Sequence, residues 1–122
     1  MKKLPYVLTL LFAALLITAG INHFINPGFY SPFIPDWMSL LWSNVFIGVV
    51  EVGLGAGLLL KKQRKLAALG VLILMILFLP LHVFDVFQLH PAIGSKILAM
   101  IRLPIQFLFI YWAWFIWQRS EH

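Results

Sequence analysis

Apolar residues run in four long stretches, Leu4 to Ile21, Trp37 to Leu60, Leu66 to Phe87 and Ile97 to Trp117, separated by short polar or proline-rich connections. A hydrocarbon core of about 30 Å needs about 20 residues at ~1.5 Å each, so each stretch is long enough to span one. The pattern predicts four transmembrane helices over 4–21, 37–60, 66–87 and 97–117, in one domain that takes up residues 1–122. Short turns favour an all-α integral membrane four-helix bundle with up-down-up-down order. The first stretch, behind Lys2 and Lys3, also has features of a secretory signal peptide, with Thr18 and Gly20 as small residues near its end. Its long apolar run and missing A-x-A pattern favour a retained helix.

The connection from Asn22 to Asp36 is different in kind. It combines Pro27, Pro32 and Pro35 with Phe24, Phe29, Tyr30 and Phe33, too apolar for a solvated loop and too rich in proline for a regular helix. A segment lying in the membrane interface or capping the bundle mouth is expected.

Composition narrows the class. Of 122 residues, 62% are hydrophobic and 11% charged, against about a quarter charged in a soluble domain. A soluble globular protein is excluded. The net charge of +5 is explained by position: in four alternating helices Lys2, Lys3, Lys61, Lys62, Arg64, Lys65 and Arg119 share one side, and only Lys96 and Arg102 belong to the other half. The positive-inside rule then makes both termini and the Lys61 to Lys65 turn cytoplasmic, with anionic lipid rather than nucleic acid as the partner of the basic cluster. Trp112, Trp114 and Trp117 are expected in the cytoplasmic aromatic belt, and Tyr30, Trp37 and Trp42 in the outer one. Without cysteine there is no thiol redox chemistry, disulfide or thiolate metal site on the chain.

Candidate chemistry lies in polar residues inside the spans, where an Arg or Asp costs about 2.5–3.5 kcal/mol near a helix centre. Helical rise places Glu51 near the midplane, and His82, Asp85 and Arg102 in the outer half, with His23 at the outer end of the first span. Asn44, Gly48, Glu51 and Gly55 follow at helical spacing and share a face; Ser95, Ala99, Arg102 and Gln106 form a similar stripe. His82 and Asp85 are i, i+3 neighbours, and Asn22, His23 and Asn26 complete the set. Gly53-x-x-x-Gly57 permits close helix approach, and Pro80 and Pro104 free carbonyls inside spans three and four.

Glu51 and Arg102 are open to two readings: an ion pair locking helix two to helix four, or a pocket for a polar headgroup or proton carrier. Their depths differ by about 10 Å, so contact through Gln106 or water, or an Arg102–Asp85 pair, is the alternative. His23 and His82 are candidates to protonate a quinol, to ligate a metal or to satisfy a loop carbonyl. No dense ligand spacing supports a metal, and no motif supports haem. The candidate ligand-binding set is Asn22, His23, Asn44, Glu51, His82, Asp85, Arg102 and Gln106.

Three segments together resemble the DoxX-like family of small bacterial four-helix membrane proteins: Ala19-Gly20-Ile21-Asn22-His23-Phe24 with the stretch to Pro35; Gly48-Val49-Val50-Glu51-Val52-Gly53 with Gly57-Leu58-Leu59-Leu60; and Arg102-Leu103-Pro104-Ile105-Gln106 with Ile110-Tyr111-Trp112-Ala113. Pro80-Leu81-His82 departs from a Pro-Ala-Asn segment of many relatives, so no role is carried over to His82. The resemblance implies a multi-pass bundle in the bacterial cytoplasmic membrane and an association with redox systems, one relative being a subunit of a thiosulfate:quinone oxidoreductase. The expected function is a non-autonomous subunit, not an independent enzyme, whose outward polar pocket holds a quinone or lipid-like molecule. Membrane lipids, a membrane oxidoreductase and further copies of the chain are the expected partners. A small proton-coupled transporter using Glu51 and a structural scaffold are the alternatives.

Overall fold

Local signals set where the helices begin. Ser39 and Ser95 each follow a turn, take extended backbone angles and accept a backbone N–H through the hydroxyl, from Trp42 at 3.2 Å and Leu98 at 3.1 Å, the usual serine N-cap. In the computed structural model, which describes residues 2–120, they precede the second and fourth of four long helices. These are α1 (Lys3–Ile25), α2 (Leu40–Leu59), α3 (Arg64–Val86) and α4 (Lys96–Arg119), with a 3-10 helix, Pro27–Phe33, between α1 and α2.

All four helices are long and apolar enough to cross a membrane, and most of their surface faces outward. Leu11, Leu15, Phe46, Val49, Leu66, Ile73, Leu77, Phe107 and Leu108 are all exposed. Apolar area on this scale is stable against lipid and not against water. The chain is therefore a helical, multi-pass membrane protein.

Two helical hairpins make the bundle, because α1 packs mainly on α2 and α3 on α4. Within the first, Gly20 lies against Gly48 and Val52, while Gly55 lies against Ala13 and Ile17, so the two helices run in opposite directions. Gly20 and Gly48 permit this closeness: a Cβ at Gly20 would lie 2.7 Å from Val52 Cγ2 and 2.9 Å from the Gly48 carbonyl oxygen. The expected Gly53-x-x-x-Gly57 face does not act as a unit. Gly53 faces open space, and only Gly57 meets another helix, at Ala67.

The dry core lies towards the turn between α2 and α3, where Phe12, Leu16, Leu58, Ala68, Val71, Met75, Ala113 and Ile116 pack together. Trp112 joins it, which corrects its assignment to an aromatic belt. Its ring lies 4.7 Å from that of Phe12 and its Nε1 donates to the Leu8 carbonyl at 3.1 Å, because position 112 lies beside the buried Ala113 face of α4. Trp114, Trp37 and Trp42 are exposed, as belt residues would be.

Arg64 has a structural use that the charge pattern concealed. Its buried side chain donates from Nε to the Leu58 carbonyl at 2.7 Å and from Nη2 to the Leu59 carbonyl at 3.4 Å. A cation there satisfies the last carbonyls of α2 and opposes its dipole. Lys61 and Lys62 remain exposed beside it.

Candidate functional site

Against the dry core, the opposite end of the α1–α2 hairpin is polar. Helix α1 continues to Ile25 rather than ending at 21, which carries Asn22 and His23 on a regular helix and brings His23 opposite α2. His23, Asn44 and Glu51 are each buried. His23 Nδ1 lies 2.8 Å from Asn44 Oδ1, and His23 Nε2 lies 3.0 Å from Glu51 Oε1.

The neighbouring hydrogen bonds fix the orientation of these groups. Asn44 Nδ2 donates to the carbonyls of Leu40 at 2.9 Å and Pro27 at 3.3 Å, so its oxygen must be the atom facing the imidazole. Nδ1 of His23 therefore carries a proton and donates it to Asn44. In a neutral ring Nε2 is then an acceptor, directed at a carboxyl oxygen. Two bare acceptors 3.0 Å apart in a buried site repel. A proton on the carboxyl or on Nε2 relieves that repulsion. Glu51 Oε1 has no hydrogen-bond partner, so its 3.0 Å contact with Nε2 is a close approach rather than an aligned bond.

The 3-10 helix covers the pair. The Tyr30 ring stacks on the His23 imidazole with centroids 3.6 Å apart and planes 14° from parallel. Its hydroxyl accepts from Asn22 Nδ2 at 3.0 Å and donates to the Ala19 carbonyl at 3.3 Å, while Asn26 Nδ2 donates to Asn22 Oδ1 at 2.9 Å. The proline-rich connection thus caps the bundle, and prolines explain the 3-10 form, because Pro27 opens it and Pro32 denies it a continuing α-helical hydrogen bond. Tyr30 was a belt candidate; the signal that it is a cap is visible only once the cluster is assembled.

Burial holds the Tyr30 phenol above its ordinary pKa of 10.0, with Glu51 charge adding to the effect and the Asn22 hydrogen bond opposing it. An acid whose folded pKa is raised contributes stability that is complete below the unfolded pKa and is lost as pH rises through the folded one. Stability is therefore expected to decline above pH 10.0. In Tyr30→Phe the decline is expected to be shallower, as read by thermal unfolding in detergent across an alkaline series; an unchanged decline would remove Tyr30 from this role.

The other predicted residues gather elsewhere. Arg102 and Gln106 lie on α4 and His82 and Asp85 on α3, and the expected Glu51–Arg102 ion pair does not form: Glu51 faces His23. The Arg102–Asp85 alternative fails as well. Asp85 accepts from the backbone N–H groups of Ala92 at 2.5 Å and Ile93 at 3.2 Å, holding the turn into α4. Gln106, fully buried, donates from Nε2 to the Met75 carbonyl at 2.7 Å and ties α4 to α3. Ser95, placed by spacing on the same stripe, caps the helix instead. His82 meets the Phe33 ring edge-on at 6.0 Å, so the 3-10 helix reaches both polar groups. His23 and His82 thus belong to different hairpins, and among the described residues no three His, Asp or Glu gather to hold a metal ion.

Comparison with known proteins gives one match. A family model described as a domain of unknown function (DUF8561) covers residues 12–117, a range that includes both polar groups. No curated protein and no solved structure matches the chain.

Proposed function

The chain belongs to the DUF8561 family, a domain of unknown function, and from its own geometry we propose a non-autonomous subunit of a membrane redox system that binds a quinone or lipid-like molecule at the capped end of its bundle. The observation that carries this reading is the buried His23–Glu51 pair, an imidazole and a carboxyl 3.0 Å apart under an aromatic cap. A quinone takes up protons on reduction and a quinol gives them back, so a headgroup that displaces Tyr30 meets an imidazole and a carboxyl able to exchange one. Asn22 and Asn44 supply the polar contacts that orient such a group in an otherwise apolar site. The resemblance to the DoxX-like family supports the redox setting and the bacterial cytoplasmic membrane. The Lys61 to Lys65 turn supports an orientation with that turn and both termini in the cytoplasm, and the capped end outward.

Mass spectrometry of molecules that co-purify in mild detergent tests the reading. A quinone or other small amphiphile, near one per chain, is expected with the unaltered protein and is expected to be lost in both Glu51→Gln and His23→Leu. Bulk lipid alone, the same in all three, would sink it. The same carboxyl favours one second reading, a proton-coupled transporter in which Glu51 binds and releases the coupling proton. Proton-driven uptake by reconstituted vesicles, abolished in Glu51→Gln, would select that reading instead.

A further inference from the structure

Where α3 begins and α4 ends, an open groove of about 280 Å³ is lined by Lys62, Lys65, Leu66, Leu69 and Trp117. Sites that enclose a whole small molecule take roughly 300–1,000 Å³, so this one is sized for a headgroup and leaves whatever is attached to it outside. Its walls change in character along the membrane normal. Lys62 precedes α3, Lys65 and Leu66 lie in its first turn, and Leu69 is four residues beyond Lys65, about 6 Å further into the span. The ammonium groups thus sit at the membrane boundary, and the leucines lead inward from them. Leu66 is exposed and continues the outward apolar surface of α3.

The basic residues around the groove differ in how far they are committed. Arg64 donates to the Leu58 and Leu59 carbonyls, and the Arg119 guanidinium lies over Phe115, 4.9 Å from the ring centroid. Lys65 is only loosely held. Its Nζ donates to the Ser120 carbonyl at 3.5 Å, the outer limit of a hydrogen bond, and lies 5.9 Å from the Trp117 centroid. An ammonium carries three donors, so most of its capacity is left over, and Lys62 is exposed. Among the described residues neither lysine has a carboxylate partner: Asp36 precedes α2, Glu51 faces His23, and Asp85 holds the backbone of Ala92 and Ile93. Glu121, the fourth acid, lies outside the described residues. Trp117 packs against the dry core, which fixes its ring as a wall of the groove.

Two ammonium groups with donors left over, beside an apolar wall that runs into the membrane, are complementary to an anionic amphiphile. A soluble anion would meet the lysines and leave the leucines without a partner, and a zwitterionic headgroup would bring its own cation against Lys62 and Lys65. We propose that this groove seats the headgroup of an anionic phospholipid from the leaflet on this side of the membrane, its phosphate accepting from Lys62 and Lys65 and its acyl chains lying along Leu66 and Leu69. Attraction to a basic turn treats all of its exposed cations alike. The groove instead singles out Lys62 and Lys65 over Lys61, and it requires Trp117. The site is at the opposite end of the bundle from the His23–Glu51 pair and does not rest on the function proposed for that pair.

Native mass spectrometry of delipidated protein, titrated with phosphatidylglycerol or phosphatidylcholine and then challenged with inorganic phosphate, tests the site. Phosphatidylglycerol is expected to be retained over phosphatidylcholine and to resist the phosphate. Its affinity is expected to fall about tenfold in Lys62→Gln and in Lys65→Gln, the scale of a charge-assisted hydrogen bond. Trp117→Leu, which removes part of a wall and no charge, is expected to lower it about threefold. Lys61→Gln removes the same charge from outside the groove and is expected to lower it about twofold or less. Lys62 is exposed, so Lys62→Gln carries the test if Lys65→Gln or Trp117→Leu does not fold. Glu51→Gln is expected to bind as the unaltered chain does. Equal losses in Lys61→Gln and Lys62→Gln would mean a diffuse basic surface in place of a groove, and displacement by inorganic phosphate would mean an anion site that takes no lipid. Either result, or no preference for the anionic lipid, would overturn the proposal.

Discussion

Replacing Glu51 with Leu is expected to lower stability in detergent by about 2–3 kcal/mol, because it leaves His23 buried with an unpaired Nε2. His23→Leu is expected to cost at least as much, since it strips a partner from both Glu51 and Asn44. The double variant is expected to be more stable than the two losses combined would make it, by about 1–2 kcal/mol, because once one member is gone the other only adds strain. A cycle of reversible unfolding measurements reads this coupling directly. Losses that add to within about 0.5 kcal/mol would mean that the two groups do not interact, since groups without mutual interaction add in that way. Retention of the proposed ligand is a separate readout: coupling without ligand would leave a structural pair, and ligand loss in step with coupling would join the two.

The helices were legible because a span needs little more than a run of apolar residues, and all four runs became helices. The ends were less so. Proline suggested a break soon after Ile21, yet the first proline after the span is Pro27, and nothing before it stops α1 short of Ile25. The faces were legible too: Asn44, Gly48, Glu51 and Gly55, grouped by spacing, are all buried on α2. What periodicity does not contain is the identity of the helix across from each face. Four helices in a ring give every polar stripe two neighbours, and depth along the membrane normal does not choose between them. Glu51 and Arg102 were therefore matched by charge, whereas α2 turns Glu51 towards α1 and His23. The choice was made by small residues: Gly20 and Gly48 draw α1 and α2 together, and the polar partner of Glu51 follows from that. Arg64 and Tyr30 escaped for a related reason, because a basic turn and an aromatic loop have strong generic explanations that hide a specific contact.

Gly20→Leu is expected to be the most damaging single change in the chain. The contact at Gly20 is with backbone as well as side chain: an added Cβ would lie 2.9 Å from the Val52 nitrogen and from the Gly48 oxygen, so the neighbour cannot swing aside as a flexible side chain would. A larger group must push the helices apart, and the loss is expected to be about 3 kcal/mol or more, beyond the usual 1–3 kcal/mol of overpacking in a core with room to adjust. Gly53→Leu serves as the comparison, since a Cβ there meets nothing within 4 Å, and it is expected to be near neutral. The separation also has a chemical consequence. His23 lies three residues beyond Gly20 on α1 and Glu51 three beyond Gly48 on α2, so the 3.0 Å approach between them depends on the glycine contact. Gly20→Ala, the mildest version, is expected to retain the fold in part while parting His23 from Glu51, and so to lose the proposed ligand at a smaller stability cost than Gly20→Leu. If Gly20→Ala bound ligand as the unaltered chain does, the polar pair and the helix contact would be independent, and the packing of α1 on α2 would not be what positions the site.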